Sequence, residues 1–137
     1  MAKELFITQE FSQEMLLAGE SLIKHLDETE SKAQVAFWLL DAEEKTWGLI
    51  IASSKVEDEG ARNYYKQIND INKISEEKNV ISLHDIEVVN KYNRFVKALL
   101  KVKDSDLWSD EYWKNTRLGK NFISNVCFED MYIYRVN

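Results

Sequence analysis

QVAFWLLDAEEKTWGLIIASS, residues Gln34–Ser54, is the stretch whose reading decides the fold. Two apolar runs, Val35–Leu40 and Trp47–Ala52, flank the charged hexad Asp41-Ala42-Glu43-Glu44-Lys45-Thr46. Runs this short, rich in β-branched and aromatic residues and parted by a polar turn, predict a β-hairpin. Both runs are continuously apolar rather than alternating, the pattern of strands covered on both faces. The hairpin is therefore expected at the centre of a sheet.

Upstream, residues 9–27 predict an amphipathic helix, with Phe11, Met15, Ala18, Leu22 and Leu26 at helical spacing and Thr8 as the cap. Downstream, a second helix is expected over about 56–73, capped by Ser54 or Asp58, with Ala61, Tyr64, Tyr65, Ile68 and Ile71 on its apolar face. Asp85–Val89 reads as a short strand, and residues 91–101 (KYNRFVKALLK) as a third helix. The segment 103–121 is the least regular, with one helical turn expected around 109–115. Residues 122–136 are aromatic and β-branched, so they read as one bent strand or a hairpin turning at Ser124-Asn125. The order α-β-β-α-β-α-β-β predicts a single α+β domain over residues 1–137, with helices packed on a mostly antiparallel sheet.

Composition agrees with a globular chain. Hydrophobic residues make up 45% of the 137 positions, too many for disorder. The single cysteine, Cys127, has no partner for an internal disulfide, which fits a reducing compartment. The first residues lack the basic-then-apolar pattern of a signal peptide, and no apolar run approaches the ~20 residues of a membrane span. A cytoplasmic protein without membrane association is expected. The net charge of −6 is unevenly spread. Residues 91–120 carry eight bases (Lys91, Arg94, Lys97, Lys101, Lys103, Lys114, Arg117, Lys120) against four acids, whereas the first 90 residues are acidic throughout. Overall acidity argues against general nucleic-acid binding, which needs a dominant positive field.

Two blocks resemble a family of small uncharacterised bacterial proteins. The hairpin and its exit, AFWLLDAEEKTWGLIIASSKVEDEGARNYY, are similar to that family's FWLY…WRLVIASP hairpin and VD…GPR…Y helix start. Asp85–Val89, Phe95–Leu100 and Phe128–Val136 are similar to its DISVVSP…LVKAL…IEDAYIYRL ending. Ser54, Ala61 and Lys91 stand where the family pattern has proline. The resemblance implies a single domain and carries no activity.

Candidate chemistry is sparse. Glu129-Asp130 with Tyr132, Tyr134 and Arg135 is the densest polar group in a predicted strand. Alternation places Asp130, Tyr132 and Tyr134 on one face and Glu129 with Arg135 on the other. That group could line a cleft; an exposed strand face with tyrosines covering the core is the simpler account of it. Glu57, Asp58, Glu59 and Arg62 follow the hairpin, where a strand-to-helix turn often carries function. Acids are also ordinary at a helix start. An enzyme, if this were one, would use Glu57, Arg62, Asp130, Tyr132 and Arg135 as a hydrolase or nucleotide-handling site. The histidines, His25 and His84, lie apart from each other and from Cys127, so the sequence points to no metal site and no cofactor. Ser53-Ser54 lacks a nucleophile elbow, and Cys127 reads as a buried, inert thiol.

The strongest binding candidate is the basic stripe Lys91, Arg94, Lys97 and Lys101, with Trp108 and Trp113 beyond it. Bases interleaved with aromatics can meet an acidic protein surface or single-stranded nucleic acid. A solvated helix face plus tryptophans folded into the core gives the same pattern. The expectation is a non-enzymatic module acting through protein–protein contacts, with an unidentified partner or with itself.

Overall fold

The computed structural model describes residues 3–137. Its centre is a five-stranded sheet of order β5-β3-β2-β9-β6. The predicted hairpin supplies β2 (Val35–Leu40) and β3 (Trp47–Ala52). The edges are β5 (Ile86–Val89) and β6 (Lys114–Leu118), and β9 (Met131–Val136) lies between β2 and β6. Asp41 builds the hairpin turn, its carboxylate accepting from the Glu43 and Glu44 backbone N–H groups.

Both faces of the hairpin are covered, as the unbroken apolar runs require. Ala36, Trp38, Leu49 and Ile51 face α1 (Gln13–Asp27) and α3 (Ala61–Ile74), while Phe37, Ile50 and Ala52 face α4 (Arg94–Asp104). Trp38, Phe37 and Ile51 are fully inaccessible to solvent. Burial of each such side chain contributes about 1.5–3 kcal/mol. A small antiparallel ribbon, β7 (Asn121–Ile123) and β8 (Val126–Phe128), brings Ile123 and Phe128 to the α4 face. It turns at Ser124 and Asn125, both at positive φ, the expected tight turn. A second ribbon pairs β1 (Lys3–Glu4) with β4 (Asn79–Val80).

The α+β class and the core element order are as read, but the sheet is mixed rather than mostly antiparallel. β3 and β5 are parallel. The chain leaves β3 through α2 (Ser54–Glu59) and α3, and a helical crossover returns the next strand in the same direction. What reads as one helix over 56–73 is two, because Gly60 (φ 87°, ψ 159°) sits in a backbone region only glycine enters freely. Ser53 caps α2, in place of the expected Ser54 or Asp58. The first helix begins at Gln13 with Ser12, not Thr8, as its cap, so Phe11 lies outside it. The third begins at Arg94, where the Asn93 side chain accepts from the Phe95 and Val96 N–H groups. The irregular segment holds a 3-10 turn at Asp110–Trp113 and then the unforeseen edge strand β6.

The free edge of β5 is occupied by a side chain. Tyr65 of α3 donates its hydroxyl to the Ile86 carbonyl (3.2 Å) and accepts from the Val88 N–H (2.9 Å). One phenol thus fills the place a neighbouring strand would take.

Candidate functional site

The C-terminal strand departs from simple alternation. Ala36 of β2 pairs with Arg135 and Phe37 with Ile133, which leaves Tyr134 as the extra residue of a β-bulge. The bulge turns Tyr134 and Arg135 toward the same side, so the expected pairing of Arg135 with Glu129 on one face does not hold. Tyr134 is buried beneath α1; its hydroxyl accepts from Trp38 Nε1 (2.9 Å) and donates to the Leu16 carbonyl (2.7 Å). Burial raises the Tyr134 phenol well above its ordinary pKa, so it is a fixed neutral hydrogen-bonding group. α1 comes this close because residue 19 is glycine: a Cβ there would lie 2.7 Å from Tyr134 Cζ.

Arg135 forms a bidentate pair with Asp27 at the end of α1 (2.7 and 2.6 Å) and donates to the Ala33 carbonyl (3.2 Å). The guanidinium hydrogen bonds hold the Asp27 carboxyl below its usual range. This pair floors an open groove of about 520 Å³ that also receives Lys24, Lys32 and Lys114.

Asp130 is likewise engaged, in a bidentate pair with Arg117 of β6 (2.9 and 2.7 Å). These hydrogen bonds raise the Arg117 pKa further above neutrality. The guanidinium lies over the rings of Phe11 (5.3 Å) and Trp47 (5.4 Å), and Phe11 stacks on Tyr132 (5.4 Å). Trp47 anchors the preceding chain by donating Nε1 to the Gln9 carbonyl (2.9 Å). The cluster ties the segment before α1 to the sheet, and burial raises the Tyr132 phenol.

The five residues singled out for catalysis therefore divide among separate settings. Among the described residues, no hydrogen bond or ion pair joins any two of Glu57, Arg62, Asp130, Tyr132 and Arg135. Asp130 and Arg135 are each taken by another partner. Arg62 is exposed on α3, and Glu57 lines a crevice of about 210 Å³ at the open end of the hairpin. Among the described residues no group of three or more His, Cys, Asp and Glu is placed to hold a metal ion. Cys127 is half-buried rather than buried. It lines a groove of about 310 Å³ with Asp41, Glu43, Glu87, Arg94 and Glu129.

The binding candidates also divide. Lys91, Arg94, Lys97 and Lys101 are exposed, and Arg94 lies over the Phe95 ring (4.8 Å) while Lys91 lies over Tyr92 (5.4 Å). Trp113 is only 2% exposed and belongs to the α4-side core, so it offers no contact surface. Trp108 stacks on it at 5.3 Å and 15°. That stack supports a cleft of about 380 Å³ lined by Leu107, Trp108, Tyr112 and Leu118. Leu107 is 79% exposed, and Phe122, in the neighbouring ribbon, 69%. Sequence reasoning passed over Leu107 and Phe122, whose exposure follows from turns. Asp106 (φ 56°) reverses the chain after α4 and lifts Leu107 off the helix's apolar face. Phe122 alternates outward from Ile123.

The fold is thus a mixed α+β sheet with helices on both faces, and its surface carries several open grooves. No family model, curated protein or solved structure matches this chain. The resemblance read from the hairpin and the C-terminal strand accordingly assigns no role to any residue.

Among the described residues, no helix is long and apolar enough to cross a membrane.

Proposed function

We propose that this protein works in the cytoplasm by binding another protein, through the Leu107–Trp108–Tyr112 cleft and the basic face of α4. The observation that carries this reading is a large apolar side chain, Leu107, standing almost free beside a tryptophan ring braced from below. Clustered exposed apolar residues of this kind mark interaction surfaces, and a rigid aromatic platform is the usual form of an energetic anchor. Arg94, Lys97 and Lys101 favour an acidic partner, through association rate more than through affinity.

The test compares the wild type with Leu107→Asp/Tyr112→Ser and with Lys97→Glu/Lys101→Glu as baits, after circular dichroism has shown intact folds. Sedimentation of the same samples covers self-association. A partner, or a second copy, held by the wild type and lost by both variants supports the proposal. A monomer with no specific partner, or one bound equally by all three proteins, refutes it.

A further inference from the structure

The parallel pair β3–β5 has a consequence independent of that cleft. The chain leaves the carboxyl end of β3 toward the α3 face of the sheet and the carboxyl end of β5 toward the α4 face. Where adjacent parallel strands send their following helices to opposite sides, a crevice opens at their carboxyl ends. Open α/β sheets bind ligands in that position. Here the crevice of about 210 Å³ is present, walled by Val35, Ala52, Val96 and Leu100.

Ser53, Ser54 and Asn137 also line it, and its two charged side chains are of opposite sign. Glu57 of α2 and Lys91, just before α4, line it, and neither takes part in an ion pair among the described residues. Gln34 is oriented by accepting from the Ser54 N–H through Oε1 (2.8 Å), which leaves its NH2 group available at the same rim. The volume is below the ~300 Å³ where pockets for drug-sized ligands begin, so a nucleotide is too large. It corresponds to about seven waters at ~30 Å³ each, room for a molecule of about ten non-hydrogen atoms.

We infer that this crevice binds a small zwitterion with an apolar body, of the class of a free aliphatic amino acid. Lys91 and the Gln34 NH2 group receive the carboxylate, Glu57 receives the ammonium, and the four aliphatic side chains enclose the rest. The inference concerns binding alone; Ser53, which also lines the crevice, has its hydroxyl engaged in donating to the Lys32 carbonyl (2.9 Å).

The probe is L-leucine, titrated into isotope-labelled protein and followed by amide NMR. Leucinamide, which lacks the carboxylate, and isocaproate, which lacks the ammonium, are run beside it. Leucine should shift the amides of Ala52, Ser54 and Val96, with each analogue binding at least about tenfold more weakly. Lys91→Gln should erase the preference for leucine over leucinamide, and Glu57→Gln the preference over isocaproate. Both residues are exposed, so both variants should keep the parent spectrum elsewhere. Absence of crevice shifts at ~20 mM leucine, an affinity of about −2 kcal/mol or weaker, overturns the inference. So does an analogue that binds as tightly as leucine.

Discussion

Replacement of Gly19 by alanine should destabilise the protein even though it improves the helix. In an open helix the change would contribute about 1 kcal/mol of stability. Here the new methyl falls inside contact distance of the Tyr134 hydroxyl and lies 2.7 Å from Cζ, whereas ordinary contact begins at 3.4 Å. Ring or helix must yield by more than about 0.7 Å, the shortfall at Cζ alone, because the hydroxyl lies closer still. Yielding draws the hydroxyl away from Trp38 Nε1 and the Leu16 carbonyl, which it now meets at 2.9 and 2.7 Å. A buried group left unpartnered costs about 1–3 kcal/mol, so loss of both outweighs the helix gain. The expected net cost is about 2 kcal/mol, or roughly 5–8 °C in Tm for a chain of this size. Urea denaturation followed by circular dichroism measures it, and Gly19→Ala in a Tyr134→Phe background supplies the double-mutant cycle. The second background should recover about 1 kcal/mol, because the hydroxyl is already gone. A Gly19→Ala protein as stable as its parent would refute the close-approach argument.

Gly60→Ala makes a contrasting case: nothing lies within 4 Å of the added Cβ, so backbone strain alone should cost about 1–3 kcal/mol, read from the same urea midpoints. Asp27, whose folded pKa is depressed, contributes stability that is present above its unfolded pKa of ~3.9 and is lost as pH falls through the lower folded value. The difference in stability between wild type and Asp27→Asn should therefore be constant near neutrality and shrink below about pH 4; a difference that grows on acidification would contradict the Arg135 pairing. Asp85, raised by burial, acts in the opposite sense, which is why a difference between two proteins is needed. Arg117→Gln should release the segment before α1, and faster amide exchange at Phe11 and Ser12 than in the parent would show it.

The legible part of the fold was what periodicity and apolar run length encode. Unbroken runs at Val35–Leu40 and Trp47–Ala52 read as strands covered on both faces, and of the two readings of residues 122–136, a bent strand or a turn at Ser124-Asn125, the structure has the turn. Parallel pairing of β5 was hidden because strand direction depends on the intervening crossover, not on the strand's own residues. β6 was hidden for a different reason: KNTRL has no alternating apolar face, since an edge strand half-open to solvent needs none. The bulge at Tyr134 has no local signature, yet it decides which side Arg135 serves. For the same reason the sequence could nominate Asp130 and Arg135 as chemical groups without showing that Arg117 and Asp27 already hold them.

The phenol of Tyr65 gives α3 a second office. Because it occupies the outer backbone groups of β5, the sheet cannot lengthen on that side while the helix is docked. Lengthening at β5 is therefore gated by a local opening: only molecules in which α3 has lifted present the outer edge of that strand. Seeding kinetics should then track the excursion of one helix, far more frequent than complete denaturation, and a ligand or partner that clamps α3 would act as an aggregation inhibitor without touching the strand it protects.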